Sequence, residues 1–299
     1  MIKLGYFYGV ISAMFWAISG ISYEILSKHT GNQAIYIILF FLFSSDFLSL
    51  ILLIKFILKT KNFLSLKNYR KGIFFGGLAG VFGGTIGMFS YLMAIDLLGV
   101  NYAVPLSSTF PLFAGIIAYF FLKEKIQFIG FIGFFITIFS SVILFISKGI
   151  NQFNLIGLVF IFFCILGWAL EVVLSSYAMK FTSEYITYFS RLCFSCLGYI
   201  ILLFFILKVD ISNIINFIDY QKIGCFFIIV LSTFLSYLLY YKAIYLLGTI
   251  KAMSINITYS IWTVLFSYFL FDIEISRKLI FCCIGILFGT GLTLYVKKE

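Results

Sequence analysis

"YLMAIDLLGVNYAVPLSSTFPLFAGIIAYFFLKEKI", from Tyr91 to Ile126, lies over "YYKAIYLLGTIKAMSINITYSIWTVLFSYFLFDIEI", from Tyr240 to Ile275, without a gap. The shared frame is Y..AI.LLG...A.....T.........YF.....I, and the offset of 149 residues is half of a 299-residue chain. A gapless frame at that offset marks a duplication. A second echo pairs "FWA" at Phe15–Ala17 with "GWA" at Gly167–Ala169, one tryptophan near the middle of the first span of each half.

Around this repeat the chain is 63% hydrophobic, 21% aromatic and only 11% charged, with a mean hydropathy of +1.14. A soluble domain cannot hide so much apolar surface, so lipid is the solvent. Ten runs are long enough to cross a hydrocarbon core of about 30 Å. They are Gly5–Ser27, Ala34–Ile57, Gly72–Ile95, Tyr102–Leu122, Phe128–Ile146, Leu155–Met179, Tyr185–Leu207, Ile223–Leu247, Ala252–Phe271 and Leu279–Val296. The runs are continuous and lack period-two alternation, which makes them helices rather than barrel strands. The first follows Lys3 but is too long for a signal peptide and lacks a small-residue cleavage site.

Five spans per half is an odd number, so the second half enters the membrane from the opposite side. The expected fold is an all-α membrane protein of ten transmembrane helices in two inverted five-helix repeats, 1–147 and 148–299. Such repeats are a transporter signature, because two similar halves can exchange conformations about a central site.

The net charge of +10 raises the question of nucleic acid, and its distribution answers it. With the N-terminus inside, thirteen lysines and arginines fall on the inner side, a cluster between Lys55 and Lys71 among them, and six on the outer. That is the positive-inside pattern of a plasma membrane protein with both termini in the cytoplasm, so no nucleic acid partner is expected. All six cysteines fall within spans, where they read as small packing residues. The only histidine, His29, lies in a loop, so no metal set, cofactor or catalytic dyad is expected and the chain does not read as an enzyme.

Glu171 sits near the middle of the sixth span, where a charge costs about 2.5 to 3.5 kcal/mol on insertion scales and needs a partner or a role. Trp168, three residues earlier, shares its face. The first span carries Ser12, Trp16, Ser19 and Tyr23 at spacings of three and four. The eighth places Ser236, Tyr237, Tyr240 and Tyr241 within a turn and a half, and the ninth sets Asn256, Tyr259, Trp262 and Thr263 nearly on one face. All three tryptophans are mid-span, where interfacial anchoring does not explain them. Electron-rich rings attract a cation that has no hydrogen-bond donors, and a carboxylate beside them supplies the countercharge. The set reads as a box for a small organic cation. Asp46 of the second span and Arg191 of the seventh form a separate set, paired with one another or coupling protons to transport. Pro105 and Pro111 break the fourth span, where the ninth has Ser254 and Ser260. Gly76, Gly80, Gly84 and Gly87, spaced by three or four, point to close helix packing.

Across the whole chain the five-plus-five plan resembles the drug/metabolite transporter superfamily, EamA type. Within it, "WALEVVLSSYAM", "SYLLYYKAI", "KAMSINITYSIWTVLF", "SSDFLSL", "TIGMFSYLMAI" and "YFFLKEKI" resemble the LicB choline transporters. The resemblance implies a secondary active transporter in the bacterial inner membrane. It would import choline or a close quaternary ammonium compound by alternating access, coupled to protons, and function as a monomer. Carried over by motif, the substrate-binding residues are Trp16, Trp168, Glu171, Tyr237, Tyr240, Tyr241, Asn256, Tyr259 and Trp262, with Asp46, Arg191 and Glu171 in coupling or gating. The nearest rival is an EamA-type exporter of amino acids, aromatic amines or other small metabolites.

Overall fold

A computed structural model describes residues 2–28, 34–59, 66–121, 128–147, 154–206, 220–271 and 276–293. Every element among them is helical. The first half holds α1 (Ile2–Lys28), α2 (Ala34–Lys59), α3 (Leu66–Ala79), a π-helical segment (Gly80–Met88), α4 (Phe89–Leu98), α5 (Val100–Ser107), α6 (Phe110–Phe121) and α7 (Phe128–Ser147). The second holds α8 (Leu155–Ala178), α9 (Glu184–Ile200, continued by a π turn to Ile206), α10 (Tyr220–Leu247), α11 (Thr249–Asn256), α12 (Tyr259–Phe271) and α13 (Arg277–Thr293). Among the described residues six stretches are long and apolar enough to cross a membrane: Ile2–Leu26, Tyr69–Leu98, Tyr102–Phe121, Leu155–Ala178, Glu184–Phe205 and Ile223–Leu247. The apolar stretches Leu39–Ile54 and Phe128–Ser140 are shorter.

Local chemistry sets several helix starts. The Asn154 side chain accepts from the Ile156 and Gly157 amides at 2.9 and 3.4 Å, and Ser183 and Ser276 do the same for Ile186 and Leu279. Each satisfies amide donors that a helix N-terminus leaves unpaired.

The shared frame reappears as shared geometry. Gly99 and Gly248, its one invariant glycine, are the two glycines with positive φ among the described residues, at 81° and 80°, and each turns the chain from one helix into the next. Only glycine takes that conformation without strain. Further on, α5 and α6 are separated at Ser108–Thr109, and α11 and α12 at Ile257–Thr258. Thr109 Oγ1 donates to the Leu106 carbonyl and Thr258 Oγ1 to the Ile255 carbonyl, both at 2.7 Å.

The sequence places the break of the fourth span on its prolines. The ninth span has none and breaks at the same position, so the prolines do not account for the break in both halves. The feature common to both is the threonine, whose hydroxyl offers the carbonyl three residues back an alternative to the helical ladder.

The helix contacts are reciprocal between the halves. α1 packs along α10 and touches α11 and α12; α8 packs against α3, the π segment and α4, and touches α5 and α6. α2 lies against α9, and α7 against α13. Serines zip α1 to α10: Ser12 Oγ donates to the Ser236 carbonyl at 2.8 Å, Ser236 Oγ returns a bond to the Ser12 carbonyl at 2.9 Å, and Ser19 meets Thr233 at 3.0 Å. The polar stripe of α1 is thus largely spent on the neighbouring helix. Trp16 is left facing the centre.

Candidate functional site

The centre of the bundle is an aromatic cluster. Trp16 of α1 meets Trp168 of α8 edge to face at 5.4 Å and Tyr237 of α10 at 5.2 Å, while Tyr91 of α4 packs on Trp168 at 4.8 Å. Between these rings and the helix breaks lies a cavity of about 30 Å³. It is lined by Trp16, Phe110, Trp168, Glu171, Val172, Ser236, Tyr237, Tyr240, Asn256 and Tyr259.

Seven of the nine residues expected to bind substrate line this cavity. Tyr241 stands behind it, its hydroxyl 2.8 Å from Ser175 Oγ and donating to Glu171 Oε1 at 3.3 Å. Trp262 stands apart, half-buried with its ring 6.0 Å from Phe266. Phe110 is the lining residue that the sequence reading missed most avoidably. It occupies the place of Tyr259 in the repeat frame, and the two begin the helices after the two breaks. Ser107, at the place of Asn256, reaches across at 3.0 Å to the Tyr259 hydroxyl, while Asn256 donates to Ser12 at 3.2 Å.

Asp46 and Arg191 do pair, but not as a set separate from the cage. Arg191, fully buried, donates from Nη1 to Asp46 Oδ2 at 2.9 Å and from Nε to Glu171 Oε1 at 3.1 Å. Ser195 donates a second bond to Asp46 Oδ2. One guanidinium therefore joins α2, α8 and α9. Its flat face lies 4.1 Å from the centre of the Tyr237 ring, so one face of that ring already holds a cation. With both carboxylates ionised the triad carries one surplus negative charge. Glu171 Oε2 takes no hydrogen bond among the described residues and lies against Gly83 of the π segment.

The glycine-rich π segment lets the triad sit where it does. A π turn widens the helix locally and is frequent at functional sites. A Cβ on Gly83 would overlap the Glu171 carboxylate, and one on Gly87 would come within 2.9 Å of Trp168 Cδ1. Gly80 and Gly84 meet α9 at Arg191 and Ser195 just as closely. The packing inferred from the glycine spacing is present, and its purpose is to bring bare backbone against the charged residues. Gly83→Ala is accordingly expected to lower ligand affinity by about tenfold or more, because a methyl there forces the carboxylate out of position. Calorimetry on the variant, with its melting curve as the folding check, tests this. Unchanged affinity would remove Gly83 from the account.

Known proteins agree with this reading of the fold. Residues 3–146 and 155–295 each match the EamA-like transporter family. The LicB protein of Haemophilus influenzae is 41% identical over 299 residues, covering 99% of each chain. A solved crystal structure superposes with a TM-score of 0.63 at 14% identity, covering 95% of this chain and 94% of its own, a likeness of fold alone. With both halves matched and a close relative aligned end to end, this chain belongs to the EamA-like transporter family.

Proposed function

We propose that the protein is a secondary active transporter importing choline or a closely related quaternary ammonium compound, coupled to protons. The observation that carries this is the Asp46–Arg191–Glu171 triad, two carboxylates on one guanidinium, set beside a cavity walled by Trp16, Trp168, Tyr240, Tyr259 and Phe110. A quaternary ammonium offers no hydrogen-bond donor, so it is held by ring faces, each contributing about 0.5 to 2 kcal/mol, and by a nearby anion. In the absence of such a cation, a proton on one of the two carboxylates balances the charge. The same acid pair thereby links protonation to substrate occupancy.

Two inverted repeats, 1–147 and 148–299, of five spans each supply the motion in this reading. The reciprocal helix contacts and the matched breaks at Ser108–Thr109 and Ile257–Thr258 support it. The breaks place the ends of four short helices around a site near the middle of the bundle, as in transporters built from discontinuous helices.

The test is binding to the purified protein of choline, acetylcholine, betaine, ethanolamine and phenylalanine, measured side by side by calorimetry and thermal shift. Choline is expected to stabilise wild type and to lose that effect in Trp168→Ala. Phenylalanine binding without choline binding would reject the cation cage and favour an exporter of amino acids.

A further inference from the structure

Among the side chains lining the central cavity, two buried polar atoms have no hydrogen-bond partner among the described residues: Trp168 Nε1 and the Tyr240 hydroxyl. The indole nitrogen faces the bare backbone at Gly87, 3.3 Å from where a Cβ would stand. The Tyr240 hydroxyl is different. Tyr240 shares the cavity wall with Glu171 and Tyr259. Tyr259 is already committed to Ser107, and among the phenols lining the cavity Tyr240 is the one whose hydroxyl is buried without a partner among the described residues. Its counterpart in the repeat, Tyr91, also has an unpartnered hydroxyl but is not among the lining residues, and points toward Gly20.

A buried donor left without an acceptor costs about 1 to 3 kcal/mol, and a trimethylammonium head cannot supply that acceptor. We infer that the Tyr240 hydroxyl donates to an oxygen on the short arm of the substrate and so selects oxygen-bearing quaternary amines over plain alkyl ones. This rests on the cation reading above and adds a specificity residue to it. The ring face holds the charge, and the phenol reads the arm. A site built to hydrogen-bond a substrate oxygen rejects the analogue that lacks it, because the partner is left stranded.

The experiment compares choline with propyltrimethylammonium, which puts a methyl where choline has its hydroxyl, by calorimetry on wild type and on Tyr240→Phe. Wild type is expected to favour choline by about tenfold or more, and Tyr240→Phe to bring the two ligands within about threefold of each other. A wild-type preference that persists undiminished in Tyr240→Phe overturns the assignment. Equal affinities in wild type overturn it without any variant, so the result does not depend on the variant folding. Failure of wild type to bind either ligand rejects the cation reading as well, which separates the two failures. A melting curve of the unliganded variant confirms that a changed ratio is not a folding defect.

Discussion

Glu171→Gln is expected to weaken choline binding by roughly 10- to 100-fold, the range that follows from losing an interaction of about 1.5 to 3 kcal/mol with a charged group. The amide keeps the shape of the side chain and can still accept from Arg191 Nε and the Tyr241 hydroxyl, so the local geometry survives. What changes is the charge balance. Arg191 and Asp46 remain as a one-to-one pair, and the second carboxylate of the triad is gone. Unliganded stability should therefore hold, or even rise, since a buried charge has been removed. Glu24→Gln is the control, because Glu24 lies near the end of α1 and does not line the cavity. Equal affinities in wild type and both variants would mean that no countercharge acts on the ligand.

Arg191→Leu is expected to have the largest effect on the folded state. It leaves Asp46 and Glu171 facing each other in the bundle with no cation between them, and breaking a buried pair in this way costs about 3 to 5 kcal/mol. In a chain of this size that corresponds to a fall of roughly 10 °C in melting temperature. Removing one carboxylate together with the guanidinium, in Asp46→Leu with Arg191→Leu, should recover part of the loss, since Glu171 alone rather than two facing carboxylates is then left without a cation. A single variant that melts within a few degrees of wild type would show that the triad does not hold α2, α8 and α9 together.

The duplication was legible because its identical letters fall where the backbone does something unusual. The invariant glycine became Gly99 and Gly248, at matching positive φ, and the invariant threonine became Thr109 and Thr258, at matching breaks. Proline drew attention in the fourth span because its effect on a helix is a local rule. A threonine hydroxyl turning back on its own helix is also common in unbroken helices, as Thr137 shows by donating to Gly133 within α7. Only the structure distinguishes the two outcomes.

Trp168 with Glu171 and Tyr237 with Tyr240 come to the same cavity wall, as helical spacing alone requires. Trp262 follows Tyr259 by three residues yet stands away from the cavity, because which face of α12 meets the centre depends on the turn at Ile257–Thr258. The cost of a lone buried arginine argued for an Asp46–Arg191 pair. That Glu171 shares the same guanidinium depends on how three helices lie relative to one another, which no local pattern encodes.

The π segment at Gly80–Met88 has no twin. Its repeat counterpart, residues 229–237, lies within the regular helix α10 and contains no glycine. Two halves that exchange shapes in a transport cycle would then do so as springs of unequal stiffness, the first widened by a glycine-rich turn in the helix that packs on α8, the second regular at that place and widened instead at the end of α9. The two end states of such a machine would then not lie at equal energy when empty. A bias of only 1.4 kcal/mol would leave the empty carrier facing one side of the membrane about ten times as often as the other. The lopsided turn would thus set a resting orientation, waiting for substrate on a preferred side before any ion gradient acts.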